Sequence, residues 1–317
     1  MLYSDICSLF DLQYPLFQGG MAWISEAKLA AAVSNGGGLG IIAAGNAPAS
    51  YVAEQIAACR ALTDKPFGVN VMLMSPYADE VAAVIAQQRV PVVTTGAGNP
   101  SKYMAVWREA GCKVVPVVPS VAIAKLMQRV GATAIIAEGG ESGGHIGELT
   151  TMALIPQVCD AVALPVLAAG GIGDGRGVAA ALMLGAVGVQ VGTRFLAAEE
   201  CQIHETYQQK ILKAKDIDTI ATGRRLGHPV RSLKTPFSRA MREKEYDSSI
   251  SNEQLESFGV GALRAAVVDG DIENGCFLAG QIAGMVNRVQ PAADIVREMC
   301  EQAEKVLNRT AWELVSR

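Results

Sequence analysis

Short apolar runs rich in valine and isoleucine recur along the chain as far as Phe195, and each ends in a loop of glycine or polar residues. An alanine-rich stretch with helical spacing follows several of them, as in residues 25–35 and 175–185. Continuous apolar strands that alternate with helices are typical of a parallel sheet covered on both faces. Eight runs have this form: residues 14–20, 38–45, 66–73, 90–98, 113–120, 133–140, 165–171 and 187–195.

Eight strand–helix units predict an α/β fold of the (β/α)8 TIM barrel type. A doubly wound open sheet is the alternative, because it also alternates strands with helices. After Phe195 the chain becomes polar and basic, and from residue 259 it is rich in alanine and glycine again. We therefore predict a barrel over 1–203, a smaller, mostly helical, basic lid over 204–258, and C-terminal helices over 259–317 that pack back on the barrel.

The composition argues against a nucleic-acid-binding, disulfide-rich or membrane-bound protein. Half of the 317 residues are hydrophobic, and the net charge of −4 argues against a nucleic-acid partner. The seven cysteines include no Cys-x-x-Cys pair, so we expect a reducing cytoplasm rather than disulfides or structural zinc. Because no secretory signal is visible and no apolar run reaches about 18 residues, we expect no membrane association.

Polar and glycine-rich segments follow the predicted strands, and in a barrel the carboxyl ends of the strands form the active site. The loops after the last two strands expose glycine N–H groups, and Thr193 adds a hydroxyl, which favours a phosphate site over simple tight turns. The basic lid has two interpretations that stay open: a solvated helical face or a functional patch.

One histidine, His145, lies in a loop with glycine at 139, 140, 143, 144 and 147. Because glycine offers little side-chain packing to justify a structural histidine, we favour a functional role. Glu138, at a strand end, is either a buried ion-pair member or a ligand contact. The other histidines, His204 and His228, are distant along the chain and no pair has metal-ligand spacing, so we expect no metal site.

Several blocks of the sequence resemble the FMN-dependent enoyl-acyl-carrier-protein reductase II of bacteria, a member of the wider nitronate monooxygenase (2-nitropropane dioxygenase) family. The blocks are residues 65–76, 94–104, 137–158, 168–177, 189–195, 222–237 and 280–286. This resemblance implies a TIM barrel with bound FMN, NADH or NADPH as the electron donor, and a trans-2-enoyl thioester of acyl carrier protein as the substrate in fatty acid synthesis. A homodimer is expected, and a requirement for a monovalent cation stays open.

By the family motif, His145 is the active-site histidine. Its role stays open between a proton donor, a group that stabilises the enolate and a group that orients the nicotinamide. The residues expected to bind the cofactor are Gly20, Met21, Ala22, Asn70, Glu138, Gly143, Gly171, Gln190, Val191, Gly192 and Thr193. The main alternative is a nitronate monooxygenase that oxidises alkyl nitronates with O₂. A non-catalytic flavin or sugar-phosphate binding protein is the alternative from another class.

Overall fold

A computed structural model describes residues 2–309. The strands are β1 (Leu16–Gln18), β2 (Gly40–Ala43), β3 (Phe67–Met72), β4 (Val92–Gly96), β5 (Lys113–Val118), β6 (Ile135–Glu138), β7 (Gly144–His145), β8 (Val166–Ala169), β9 (Gly188–Val191), β10 (Thr219–Thr222) and β11 (Val230–Leu233). The helices are α1 (Asp5–Phe10), α2 (Ala27–Asn35), α3 (Ala49–Leu62), α4 (Ala78–Gln87), α5 (Met104–Glu109), α6 (Val121–Arg129), α7 (Thr151–Ala161), α8 (Gly175–Met183), α9 (Glu205–Leu212), α10 (Pro236–Tyr246), α11 (Asn252–Gly259), α12 (Ala262–Arg264) and α13 (Ala292–Leu307).

All eight predicted strands are present and form one parallel sheet in the order β1-β9-β8-β6-β5-β4-β3-β2. A parallel bridge between Phe17 and Leu39 joins the two ends of this sheet, so the strands close into a barrel. Helices lie between consecutive strands, which confirms the (β/α)8 TIM barrel and excludes the open doubly wound sheet.

The amino-terminal end of the barrel is closed by α1. Ile6 and Phe10 of this helix are buried in one cluster with barrel residues such as Phe17 and Leu39. The rings of Phe10 and Phe17 meet edge to face, with centroids 5.3 Å apart. Because this end is packed with apolar side chains, a polar ligand can enter the barrel only from the carboxyl ends of the strands.

The lid segment is mostly helical, as predicted, and contains α9, α10 and α11. It also contains β10 and β11, which the sequence did not predict. β11 pairs antiparallel with β10 on one side and with β7 on the other, so that Val230 lies opposite His145 and Arg231 opposite Gly144. The lid is therefore joined by a backbone ladder to the loop that carries the predicted active-site histidine.

The last helix, α13, packs against α8 and α2 on the outside of the barrel, with Ile295, Val296 and Met299 buried. The division of the chain at residues 203 and 258 stays a prediction, and its final residues, 310–317, lie outside the described part. Within residues 2–309, no helix is both long and apolar enough to cross a membrane.

The contact between α2 and β2 provides a test of the barrel packing. A Cβ atom on Gly40 would lie 1.8 Å from the carbonyl oxygen of Ala30. We therefore expect Gly40→Ala to lower the free energy of unfolding by at least about 1–3 kcal/mol, as overpacking does, measured by urea denaturation. Gly259→Ala is the matched control, because a Cβ there would meet nothing within 4 Å. Equal stability of the two variants would contradict this packing.

Candidate active site

All the residues predicted to form the site lie in the barrel strands or in the loops that follow their carboxyl ends. The turn after β1 is fixed by two buried side chains: Gln18, at the end of the first predicted strand, and Ser25, which the sequence did not single out. The Gln18 amide donates to the carbonyl of Gly19 and, at 2.9 Å, to Ser25 Oγ. Ser25 Oγ accepts in turn from the N–H of Met21 at 3.0 Å. The backbone of the turn at 19–22 is thus held in place by protein contacts alone.

Asn70 of β3 stands directly beside that turn. A Cβ atom on Gly20 would lie 2.4 Å from the Cβ of Asn70, so only glycine allows the turn to come this close. Asn70 Nδ2 donates to Thr94 Oγ1 of β4 at 3.0 Å. This bond fixes the orientation of the amide and leaves Asn70 Oδ1 to accept a hydrogen bond from a ligand.

The loops after β8 and β9 are neighbours, because Ala169 lies opposite Gln190 in the ladder. Gly171 has a φ of +72°, and Gly192 begins the 3₁₀ turn Thr193–Ala197. In residues 2–309, the N–H groups of Gly171, Gly192 and Thr193 donate to no protein acceptor. Adjacent N–H groups without acceptors are a typical anion-binding arrangement.

Two side chains of β9 and its loop have protein contacts that limit how they can bind a cofactor. The hydroxyl of Thr193 accepts a hydrogen bond from the N–H of Gly280 at 2.8 Å, so its own proton is free to be donated to an anion. The side chain of Val191 packs in the hydrophobic core. Only the backbone of Val191 can therefore contact a cofactor.

Glu138 ends β6 inside the barrel mouth. Burial raises the pKa of this carboxyl to about 7, and the nearby Ser142 hydroxyl opposes the rise. Within the described residues, no cation lies within salt-bridge distance of Glu138. The ion-pair interpretation therefore has no support, and the ligand contact stays a prediction.

His145 of β7 is joined by a second histidine that the sequence placed far away. The rings of His145 and His228 have centroids 6.1 Å apart and planes inclined by 60°. Burial, and secondarily the proximity of His228, lowers the pKa of His145. Neither imidazole has a protein hydrogen-bond partner in the described part of the chain. His204, by contrast, serves α9, since its Nδ1 accepts from the N–H of Thr206 at 3.1 Å.

The lid holds the histidine loop by more than the backbone ladder. Arg231 donates from Nε and Nη2 to the carbonyl of Gly140, at 3.1 Å and 2.9 Å. Arg224 forms an ion pair with Glu148 at 2.7 Å. The sequence left open whether the basic lid is a solvated face or a functional patch. Arg224 and Arg231 are neither free nor fully solvated, because both make contacts within the protein.

Arg225 makes internal contacts as well. Its Nη1 donates to the carbonyls of Glu245 and Asp247, at 3.2 Å and 3.1 Å, and its Nη2 donates to that of Ile250 at 2.5 Å. The Glu245 carboxylate accepts from the N–H groups of Gly223 and Arg225. The turn that leads to His228 is consequently anchored at both its start and its middle.

The histidine loop is also braced from the barrel side. The Glu141 carboxylate accepts from the N–H and the hydroxyl of Thr151 at the start of α7. The backbone carbonyl of Glu141 accepts from the N–H of Gln281 at 2.9 Å. A Cβ on Gly143 would lie 2.7 Å from the backbone N of Gly280. Gly143 is thus needed for this close contact between the two loops, whatever its role towards a cofactor.

The backbone at the carboxyl end of the barrel can bind a polar ligand, because the N–H groups of Gly171, Gly192 and Thr193 have no protein acceptor in residues 2–309. Glycine-lined backbone beside free N–H groups fits a flat group that carries a phosphate, as FMN does.

Comparison with known proteins supports this assignment. The family model described as nitronate monooxygenase matches residues 4–83 and 74–302. The chain belongs to the nitronate monooxygenase family. This family comprises flavin-dependent oxidoreductases, so a flavin is the ligand that the free N–H groups and glycine loops would hold.

Solved structures agree with the family and the fold. FabK from Thermotoga maritima, an enoyl-acyl-carrier-protein reductase II, is 48% identical with a TM-score of 0.93, covering 96% of this chain and 97% of that chain. A nitroalkane oxidase from Streptomyces ansochromogenes is 29% identical with a TM-score of 0.85, covering 94% of this chain and 98% of that chain.

Curated relatives within the nitronate monooxygenase family differ in what they act on. A (3aS,4S,5R,7aS)-5-hydroxy-7a-methyl-1-oxo-octahydro-1H-indene-4-carboxyl-CoA dehydrogenase of Mycobacterium tuberculosis is 32% identical over 94% of this chain and 95% of that protein. A probable nitronate monooxygenase of Staphylococcus saprophyticus is 30% identical over 97% and 99%. Similarity therefore identifies the class of enzyme and leaves the substrate open.

The anion site predicts the effect of one substitution. Gly171→Asp puts a carboxylate beside the free N–H groups, so we expect flavin binding at least about tenfold weaker, a loss of about 1.4 kcal/mol or more. Flavin released on denaturation, per chain, measures this. Gly111→Asp is the matched control, because its φ of +82° imposes the same backbone strain in open space. Retention of flavin by the Gly171 variant would remove the anion site from these loops.

The histidine pair predicts a change in titration. Because a neighbouring cation disfavours the charged form, His228→Gln should raise the pKa of His145. The pKa should nevertheless stay below its ordinary value of 6.5, since burial is the larger cause of the shift. NMR titration of the His145 ring measures it, with His204→Gln as the control. An unchanged or lowered pKa in the His228 variant would show that the two rings do not interact.

Proposed function

We propose that this protein is an FMN-dependent enoyl-acyl-carrier-protein reductase that uses NADH or NADPH to saturate a trans-2-enoyl thioester. The observation that carries the proposal is His145, an imidazole without a protein partner, held by the lid over loops whose N–H groups are free. The identity of 48% with FabK, against 30% with the probable nitronate monooxygenase, supports the reductase over its main alternative.

The loops of the barrel would hold the cofactor. The N–H groups of Gly171, Gly192 and Thr193 would bind the phosphate, while the turn at 20–22 and the amide of Asn70 would contact the ring system. FMN bound there would supply a hydride carrier between the nicotinamide and Cβ of the enoyl thioester. Gln190, Gly143 and Glu138 stay predicted contacts.

His145 would act on the substrate oxygen. As hydride reaches Cβ, negative charge develops on the thioester oxygen, and a positioned N–H donor stabilises it. Because the pKa of His145 is lowered, its ring is mostly neutral at neutral pH. A neutral imidazole is a weak acid, but its ring N–H is a good hydrogen-bond donor. Stabilisation of the enolate therefore fits His145 better than direct proton delivery to Cα.

The second candidate is a nitronate monooxygenase. The specific observation in its favour is that same lowered pKa, because a neutral imidazole can also accept a proton from a nitroalkane or hydrogen-bond an alkyl nitronate. Simple flavin binding is the weakest candidate, since it gives no role to an unpartnered histidine in the mouth. The carrier-protein substrate, the homodimer, the cytoplasmic location and the monovalent cation remain predictions.

An anaerobic assay tests the proposal. With NADH or NADPH and crotonyl-CoA but no oxygen, we expect continuous loss of the nicotinamide absorbance. His145→Ala should keep its flavin and slow enoyl reduction at least about tenfold, in the range of a lost catalytic hydrogen-bond donor or general acid. His145→Gln, which keeps an N–H donor, should retain more of the rate than the alanine variant.

One outcome would count against the reductase: oxygen uptake with a nitronate, without anaerobic thioester turnover, would favour the monooxygenase. A different outcome would count only against the proposed role of His145. Equal slowing of flavin reduction by the nicotinamide in the His145→Ala variant, with no further slowing of enoyl reduction, would assign His145 to nicotinamide binding.

A further inference from the structure

The lid carries an open cavity lined by residues outside the barrel strands. It has a volume of about 610 Å³ and lies between α9 and the segment that joins β11 to α10. Cavities of roughly 300–1,000 Å³ are the usual size for small-molecule sites in proteins. None of the residues that line it is among those expected to bind the flavin.

The charges around this cavity are unbalanced. Four cations line it: Lys210 near the end of α9, Lys213 directly after that helix, and Lys234 and Arg239 from the opposite wall. Two carboxylates, Glu205 and Asp218, line it as well. In residues 2–309 none of the four cations forms an ion pair. Lys210 and Lys213 are also only three residues apart at the end of one helix, where like charges repel. An anion between the two walls would relieve this repulsion.

The four cations differ from the other basic residues of the lid. Arg224 pairs with Glu148, while Arg225 and Arg231 donate to backbone carbonyls. Arg225 therefore stabilises the lid, while Arg224 and Arg231 join it to the histidine loop. Of the four cavity cations, Lys210 lies over the ring of Phe277, while Lys213, Lys234 and Arg239 make no side-chain contact of this kind in the described residues, and together they surround a space large enough for a ligand.

β11 relates the cavity to the active site. Leu233, which lines the cavity, is three residues along the strand from Val230, which lies opposite His145. At about 3.4 Å per residue the separation along the strand is about 10 Å. A pantetheine arm, with two amide units and about the length of four extended residues, or about 14 Å, can span it.

We propose that this cavity binds the phosphate-bearing end of a pantetheine thioester, so that the enoyl group at the other end of the arm lies at His145. The inference rests on the proposed reductase function. The phosphate comes either from the phosphopantetheine of a carrier protein or from the nucleotide of CoA. Both present the same chemistry to the cations, and different substrates separate them.

The test uses variants of the flavin-loaded enzyme. Lys210→Gln with Lys213→Gln removes two cations from one wall, and Lys234→Gln with Arg239→Gln removes two from the other. Lys215→Gln with Arg242→Gln is the matched control, because both are exposed lid cations that do not line the cavity. The substrates are crotonyl-CoA, crotonyl phosphopantetheine and crotonyl N-acetylcysteamine, which share the reacting group while the last lacks phosphate.

Each cavity variant should raise KM for crotonyl-CoA at least about tenfold, equivalent to about 1.4 kcal/mol, with kcat little changed. KM for the N-acetylcysteamine thioester should not change. Added salt should shrink the difference between wild type and variant, since it screens the cations. If KM for crotonyl phosphopantetheine rises as well, the cavity binds the pantetheine phosphate. If KM rises for crotonyl-CoA alone, the cavity binds the phosphates of the nucleotide.

The inference is overturned if the cavity variants leave KM for crotonyl-CoA unchanged or raise KM for the phosphate-free thioester by the same factor. It is also overturned if the control pair raises KM for crotonyl-CoA as much as the cavity variants do. Wild-type turnover of the phosphate-free thioester keeps the reductase function even then. If no thioester is turned over, the reductase function fails by itself. Equilibrium binding of adenosine 3′,5′-bisphosphate to the wild type and to the cavity variants then decides whether the cavity takes phosphate, and equal binding overturns it.

Discussion

The candidate active site depends on the short antiparallel ladder between β7 and β11. The loop that carries His145 contains glycine at five positions, and ordering each residue of a free chain costs about 1–2 kcal/mol of backbone entropy. Pairing of His145 with Val230 and of Gly144 with Arg231, together with the bonds of Arg231 to Gly140, offsets that cost. The lid is thus a part of the site and not a cover over a site that the barrel completes alone.

The same ladder brings the rings of His145 and His228 together, and burial, with His228 as the smaller cause, lowers the pKa of His145. At the end of β6, burial raises the pKa of the Glu138 carboxyl to about 7. Burial therefore pushes the imidazole and the carboxyl towards their neutral forms. In its neutral form, an imidazole or a carboxyl can donate a hydrogen bond to negative charge that appears during a reaction.

These two shifts act on stability in opposite directions. Glu138 binds more protons when folded than when unfolded between its ordinary pKa of 4.5 and about 7, so its contribution falls as pH rises through that range. His145 binds fewer protons when folded, so its contribution falls as pH drops through its ordinary value of 6.5. The two contributions therefore partly cancel in mildly acidic solution.

The barrel could be predicted because parallel strands buried on both faces leave continuous apolar runs, and Val92 or Ile135 are parts of such runs. β10 and β11 could not, because each has four residues of mixed polarity and β11 pairs with a segment far away in the chain. The same long separation hid the proximity of His228 to His145. Ser25 could not be predicted because its role lies in the groups of the preceding turn that it hydrogen-bonds after folding.

The basic residues of the lid show most clearly what could not be predicted from the sequence. In the sequence Arg225, Arg231 and Lys213 form one polar, basic stretch, yet Arg225 hydrogen-bonds a backbone carbonyl of the lid and Arg231 one of the histidine loop, while the lysine lines the cavity. The planar, multidentate guanidinium suits such fixed carbonyl contacts, and the flexible ammonium suits an exposed anion. With His145 at one end of β11 and the free cations at the other, a thioester would be selected by the length of its arm as well as by its charge.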